Sequence, residues 1–100
     1  MITIEQNTAD KLARVRFKQD REQAVASIVV TTASGRCFDG DENSQGRMAR
    51  AILGLQGRGP GESVQWVLSD NTAVTVGVEE LQEALALAGL KQTELWIYTP

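Results

Sequence analysis

Two turn signals set 36 residues apart constrain this chain more than any other feature. Ala33-Ser34-Gly35 and Ser69-Asp70-Asn71 each stand between short β-branched runs. Ser27-Ile-Val-Val-Thr-Thr leads into the first turn and Arg36-Cys37-Phe38-Asp39 leaves it. Val64-Gln-Trp-Val-Leu-Ser leads into the second and Thr72-Ala-Val-Thr-Val leaves it. Each reads as a β-hairpin, with Gly35 and Asn71 as the residues able to take positive φ. The 36-residue shift also lays Phe38 on Val74 and Met48/Ala49/Ile52 on Ala84/Leu85/Ala88. The chain therefore reads as two ββα units, a pseudo-repeat too short for a solenoid.

Helix signals fill the remaining segments. Residues 8–24 hold good helix formers with alternating charge, Asn7 or Thr8 as cap and Asp10 in the positive first turn. Only Leu12, Val15 and Phe17 form an apolar stripe on it. Such a helix either stays exposed, lies across the domain or associates with its copy in another subunit. Asp39–Ser44 is rich in capping residues and precedes a helix over 41–55, with Asp39 and Glu42 spaced like a capping box. Gly54–Gly61, with four glycines and a proline, reads as a loop. Gly77 precedes a third helix that places Leu81, Ala84, Leu85 and Ala88 on one face. Beyond Gly89 the helical phase nearly continues to the mid-nineties, whereas Thr93–Thr99 also alternates as a strand does.

The fold class expected is α+β: an N-terminal helical segment over 1–26 followed by one compact ββα-ββα domain over 27–100. Alternation puts Ile28, Val30 and Phe38 in the core from the first hairpin. From the second it puts Val64, Trp66, Leu68, Val74 and Val76 there, with Trp66 as the largest contributor. Because an isolated hairpin is marginal in water, the two are expected to share one sheet-and-helix layer pair.

The chain has no histidine, which removes His-based triads, His-ligated zinc and imidazole switches from its own repertoire. Its single cysteine, Cys37, permits no intrachain disulfide and no cysteine-cluster metal site. Asp39-Gly-Asp41-Glu-Asn43 opens like a calcium loop, but the sixth position holds Ser44 and the twelfth Arg50, so helix capping is the better account. Gly57-Arg-Gly-Pro-Gly precedes a strand and lacks a Lys-Ser/Thr ending, so it reads as a linker and not as a phosphate cradle. Asp39, Asp41 and Glu42 are the only acid–base cluster, and at an exposed helix start they would do no catalysis. No catalytic, cofactor-binding or metal-ligating residue is assigned.

A net charge of −3 over 100 residues speaks against a dedicated nucleic-acid binder. The run Lys11-Arg14-Arg16-Lys18-Arg21 is interleaved at its ends with Asp10, Asp20 and Glu22 and reads first as a solvated face. No apolar stretch approaches a membrane span and the start lacks a secretory pattern, so a soluble protein in a reducing compartment is expected. Partner contact is expected at Leu12, Val15, Phe17, Arg47, Trp96 and Tyr98.

From about Gln19 to Tyr98 the chain resembles the DUF4376 domain family of phage and prophage tail-fibre and tail-associated proteins. The residues that carry the likeness are Arg21, Gly35-Arg-Cys-Phe-Asp-Gly-Asp-Glu42, Ser44, Arg47-Met48, Ala51-Ile52, Trp66, Asp70-Asn71, Leu81 and Leu85. Gly46 within the middle helix and the Gly/Pro-rich linker depart from the pattern. The resemblance implies a non-enzymatic structural or assembly module that contacts tail or fibre proteins, and the thin stripe of the first helix adds self-association as a further option. It would reside in the bacterial cytoplasm, prophage-encoded, or in the virion tail, and the resemblance transfers no active-site residue. The other reading is a small regulator or chaperone that grips a peptide or nucleic acid through a sheet edge or the Arg14/Arg16/Arg21 face.

Overall fold

The computed structural model describes residues 4–97, with side chains from Lys11 onward. The fold is α+β: helix α1 (Ile4–Ala26), hairpin β1 (Val29–Thr31) and β2 (Cys37–Asp39), helix α2 (Glu42–Arg58), hairpin β3 (Ser63–Val67) and β4 (Ala73–Gly77), and helix α3 (Val78–Trp96). Tyr98, expected as a contact residue, lies outside the described residues.

The two ββα units repeat in register. Val30 pairs with Phe38 in the first hairpin, and 36 residues on Trp66 pairs with Val74. The first loop closes with Thr32 N–H donating to Arg36 and Gly35 N–H to Thr32; the second repeats this with Leu68 to Thr72 and Asn71 to Leu68. Gly35 (φ 88°) and Asn71 (φ 69°) hold the left-handed position that a three-residue hairpin loop requires. The N-cap positions of α2 and α3, Asp41 and Gly77, are also 36 apart.

Burial is less even than the repeat. Phe38, Met48, Leu81, Ala84 and Ala88 are fully buried, so the core is centred on the first hairpin, α2 and α3. Trp66 is only half-buried, as are Val64 and Val74, in contrast to the expectation that Trp66 would lead the core. The reason is that the hairpins form two separate two-stranded sheets and not one layer. They meet where Ser69 N–H donates to the Cys37 carbonyl at 3.0 Å, and Trp66 packs against the core cluster without joining its buried set.

Two helix limits also differ from expectation. The middle helix continues through Arg58, making Gly54–Arg58 helical. Leu55 sits three residues past buried Ile52 and is itself buried. That burial is worth about 1.5–3 kcal/mol, comparable to the helix penalty of about 1 kcal/mol for each of Gly54 and Gly57. The chain turns out of α2 only at Gly59, whose φ is 114°. At the other end, α1 already runs from Ile4, so Asn7 and Thr8 lie inside it; no Gly or Pro between Ile4 and Thr8 interrupts it. The C-terminal ambiguity resolves as helix through Trp96.

α1 is the outlier of the fold. Every residue from Lys11 to Asp20 is exposed, and the helix touches the body through its last two turns, chiefly against α3. The radius of gyration is 18.3 Å and the long axis 66 Å, where a compact chain of this length has a radius near ~13 Å.

Opposite outcomes are expected for two glycine-to-alanine substitutions. A Cβ on Gly40 would stand 2.7 Å from Ile28 Cγ2 and 2.9 Å from Ala88 Cβ, so Gly40→Ala destabilises by about 1–3 kcal/mol. A Cβ on Gly54 meets nothing within 4 Å, so Gly54→Ala stabilises by about 0.5–1 kcal/mol. Urea unfolding of both variants measures the pair.

Candidate functional site

Among the described residues, polar side chains tie two structural knots, and a cleft opens at the root of α1. The first knot is at Glu80 on α3, whose carboxylate gathers the first hairpin loop. It accepts from Thr32 Oγ1 at 2.9 Å, Ser34 Oγ at 2.6 Å and Arg36 Nη1 at 2.9 Å. Glu83 accepts the Ala33 amide at 2.7 Å, and Arg36 also donates to the Thr75 carbonyl on β4. Partial burial works to raise the Glu80 pKa, but the Ser34 and Thr32 hydroxyls and the Arg36 guanidinium outweigh it and hold it below its ordinary value. A carboxylate so fully supplied with donors is a fastener between the two ββα units.

The second knot joins the start of α2 to α3. Gln45 Nε2 donates to the Gly40 carbonyl at 2.9 Å and to Gln92 Oε1 at 2.7 Å, and Gln92 Nε2 donates to Glu42. Ser44 Oγ donates to Asp41 Oδ1. Asp41 occupies the N-cap position, yet its side chain makes no cap bond to the helix amides, and Asp39 lies a strand earlier and exposed. The Asp39–Glu42 capping box is therefore absent; the stabilisation available at this end is Glu42 in the positive first turn. Asp39, Asp41 and Glu42 do not converge on a common point, and among the described residues no group of three Asp, Glu or Cys could hold a metal ion. Cys37 is half-buried with its Sγ 3.4 Å from Thr31 Oγ1.

The cleft lies where α1 leaves the body. It has a volume of about 360 Å³ and is lined by Glu22, Val25, Ala26, Asp41, Glu42, Asn43 and Trp96. Trp96 is half-exposed and lies under the Arg21 guanidinium, 4.4 Å from its ring centroid. Arg21 Nη1 also donates to the Trp96 carbonyl at 3.4 Å. The last turn of α3 has no basic residue of its own, so Arg21 supplies the positive charge that its negative end favours. Arg21 Nε is buried without a hydrogen-bond partner among the described residues.

Of the expected contact residues, Leu12, Val15 and Phe17 stand exposed on α1, Trp96 forms a wall of the cleft, and Arg47 is exposed on α2 one turn beyond Asn43. The structure thus brings Trp96 to the root of the helix that carries the other three. Sequence reading placed Arg21 in a solvated charge run and missed its contact with Trp96. The missing cation at the end of α3 was the available signal. Sequence reading also missed exposed Leu53 and Leu90.

A family model described as a domain of unknown function, DUF4376, matches residues 6–95. No curated protein and no solved structure matches the chain. No helix among the described residues is long and apolar enough to cross a membrane.

Two substitutions probe these contacts. Glu80 has a folded pKa below its ordinary 4.5, so its contribution is complete above that pH and is lost as pH falls through the lowered folded value. Glu80→Gln is expected to cost about 1–2 kcal/mol near neutral pH and to flatten the acid limb of the stability profile, as read by chemical unfolding from pH 7 to pH ~3. Arg21→Ala should cost about 1 kcal/mol and raise amide exchange over residues 93–97. Arg21→Lys should recover only part of that, because an ammonium cannot stack as the planar guanidinium does.

Proposed function

The chain belongs to the DUF4376 family, and on that premise we propose that it is a non-enzymatic structural or assembly module of phage or prophage tails or fibres that acts by protein–protein contact. The observation that carries this reading is α1. Ten consecutive residues, Lys11–Asp20, stand exposed on a helix that leaves the body, and three of them are Leu12, Val15 and Phe17. Isolated helical stretches of this length are marginal in water. An extended helix bearing large apolar side chains is the form in which a small domain offers itself to a groove on another protein. The carboxylates serve the same reading from the other side, since Glu80 and Glu42 are engaged in holding elements together.

The four cations from Lys11 to Lys18 favour a second reading, in which the same helix grips an anionic partner, nucleic acid included. The net charge of −3 counts against it. A gel shift at low salt decides: retardation that fades as salt rises supports the second reading, and no retardation removes it.

Co-expression with the products of neighbouring tail-locus genes tests the first. Co-purification of a tail or fibre protein is expected, with Phe17→Glu lowering its affinity about 10-fold or more. Failure to bind any of them, or binding indifferent to Phe17, defeats the proposal.

A further inference from the structure

The seam of α1 and the cleft at its root are complementary. Leu12, Val15, Gln19, Glu22 and Ala26 follow one another at steps of three, four, three and four residues, and all five are exposed. That spacing keeps one line of a helix facing a partner helix. The line ends in the cleft, whose lining includes Glu22 and Ala26. Its outer end is apolar and basic: no carboxylate occurs between Lys11 and Lys18, and the four cations there flank Leu12 and Val15. The cleft is acidic and partly apolar, with Glu22, Asp41 and Glu42 beside Val25 and Trp96, and the Arg21 guanidinium over the Trp96 ring is already paired with the Trp96 carbonyl.

From this complementarity we propose that the occupant of the cleft is the α1 arm of a second copy of the chain. Two arms cross antiparallel about a two-fold axis at Gln19. Position i of one arm then faces position 38 − i of the other, so Leu12 lies against Ala26 beside the Val25 and Trp96 walls, Val15 lies nearest Glu22 on the seam, and Lys11 and Arg14 reach the carboxylates of the cleft. The antiparallel direction is required, because only then does the outer end of one arm meet the root of the other. Leu12 and Ala26 are about 21 Å apart along the helix, and that length of seam is shared. Gln19 meets its own copy at the axis, where an amide can both donate to and accept from an identical group. The contact is isologous, so it closes at two chains. A parallel pair would place each copy's Lys11–Lys18 stretch beside the other's. This inference shares with the tail-assembly reading only the premise that α1 works by contact; a chain that dimerises this way yet binds no tail protein loses that reading and keeps this one.

Sedimentation equilibrium of the full chain from micromolar to millimolar concentration is the test. The expected mass is twice the 10.9 kDa of the chain, and Leu12→Glu with Val15→Glu should weaken the dimer about 100-fold or more. Both positions are exposed, so thermal unfolding measured at concentrations where the wild type is monomeric should be unmoved. Charge reversal adds a control that lost folding cannot imitate. Lys11→Glu/Arg14→Glu gives an acidic arm over an acidic cleft, and Glu22→Lys, an exposed position that neither knot uses, sets a cation in the cleft under a basic arm. Each is expected to be monomeric alone, and a mixture of the two to form a heterodimer. A wild-type monomer throughout, an open-ended polymer, a dimer indifferent to Leu12 and Val15, or a mixture that stays monomeric would each overturn the proposal.

Discussion

The close approach of Gly40 to α3 is the constraint on which the rest of the body depends. Between β2 and α2 the chain passes so near to Ile28 and Ala88 that there is no space for a side chain at Gly40. Its amide donates to the Ile28 carbonyl at 2.8 Å, which extends the first hairpin by one rung before α2 begins. Ala84 and Ala88 present the complementary small surface, one turn apart and fully buried. With the corner held there, Phe38 and Met48 reach the centre of the core against Leu81. The polar knots then lie on either side of this contact, Glu80 about two turns before Ala88 and Gln92 one turn after it. One helix thus organises the molecule by being small where the backbone comes close and polar where loops must be tied.

The repeat shows how two similar units divide unlike tasks. Pairing, loop bonds and cap positions coincide after a 36-residue shift, which is what local turn chemistry enforces. Burial does not coincide, because it depends on what lies opposite. The loop of the first hairpin is tied to α3 through Thr32, Ser34 and Arg36, whereas the second holds its own loop through the Thr72 amide on Asp70 Oδ1. Trp66 is half-buried because the second hairpin forms a sheet of its own at the side of the core.

Local signals were therefore the legible part. Gly35 and Asn71 announced both loops, Gly77 the start of α3, and the Leu81/Ala84/Ala88 face its buried side. What sequence did not disclose were balances between distant groups. Leu55 against two glycines carried α2 three residues past the expected end at 55, and a shared sheet gave way to one backbone hydrogen bond from Ser69 to Cys37. The site divides in the same way. The thin stripe of Leu12, Val15 and Phe17 left exposure, a place across the domain and pairing with a copy open, and the structure shows all three side chains exposed. The Arg21–Trp96 contact spans 75 residues and leaves no trace in spacing.

That contact decides how α1 can act. A helix joined to a body by flexible chain would sample many directions, and any partner would have to restrain it on binding. Here Val25 is buried at the root and Arg21 is held by both the ring and the carbonyl of Trp96. The final turns of α1 are thus fixed before any partner arrives. The direction of the arm then follows from helix stiffness, and the entropy of orienting it is already spent in folding the body. Placing the acidic cleft beside the same Trp96 puts the fixed root and the receiving surface on one residue. An arm and a cleft built around a common anchor keep a constant geometry relative to each other, which is what a self-complementary contact needs.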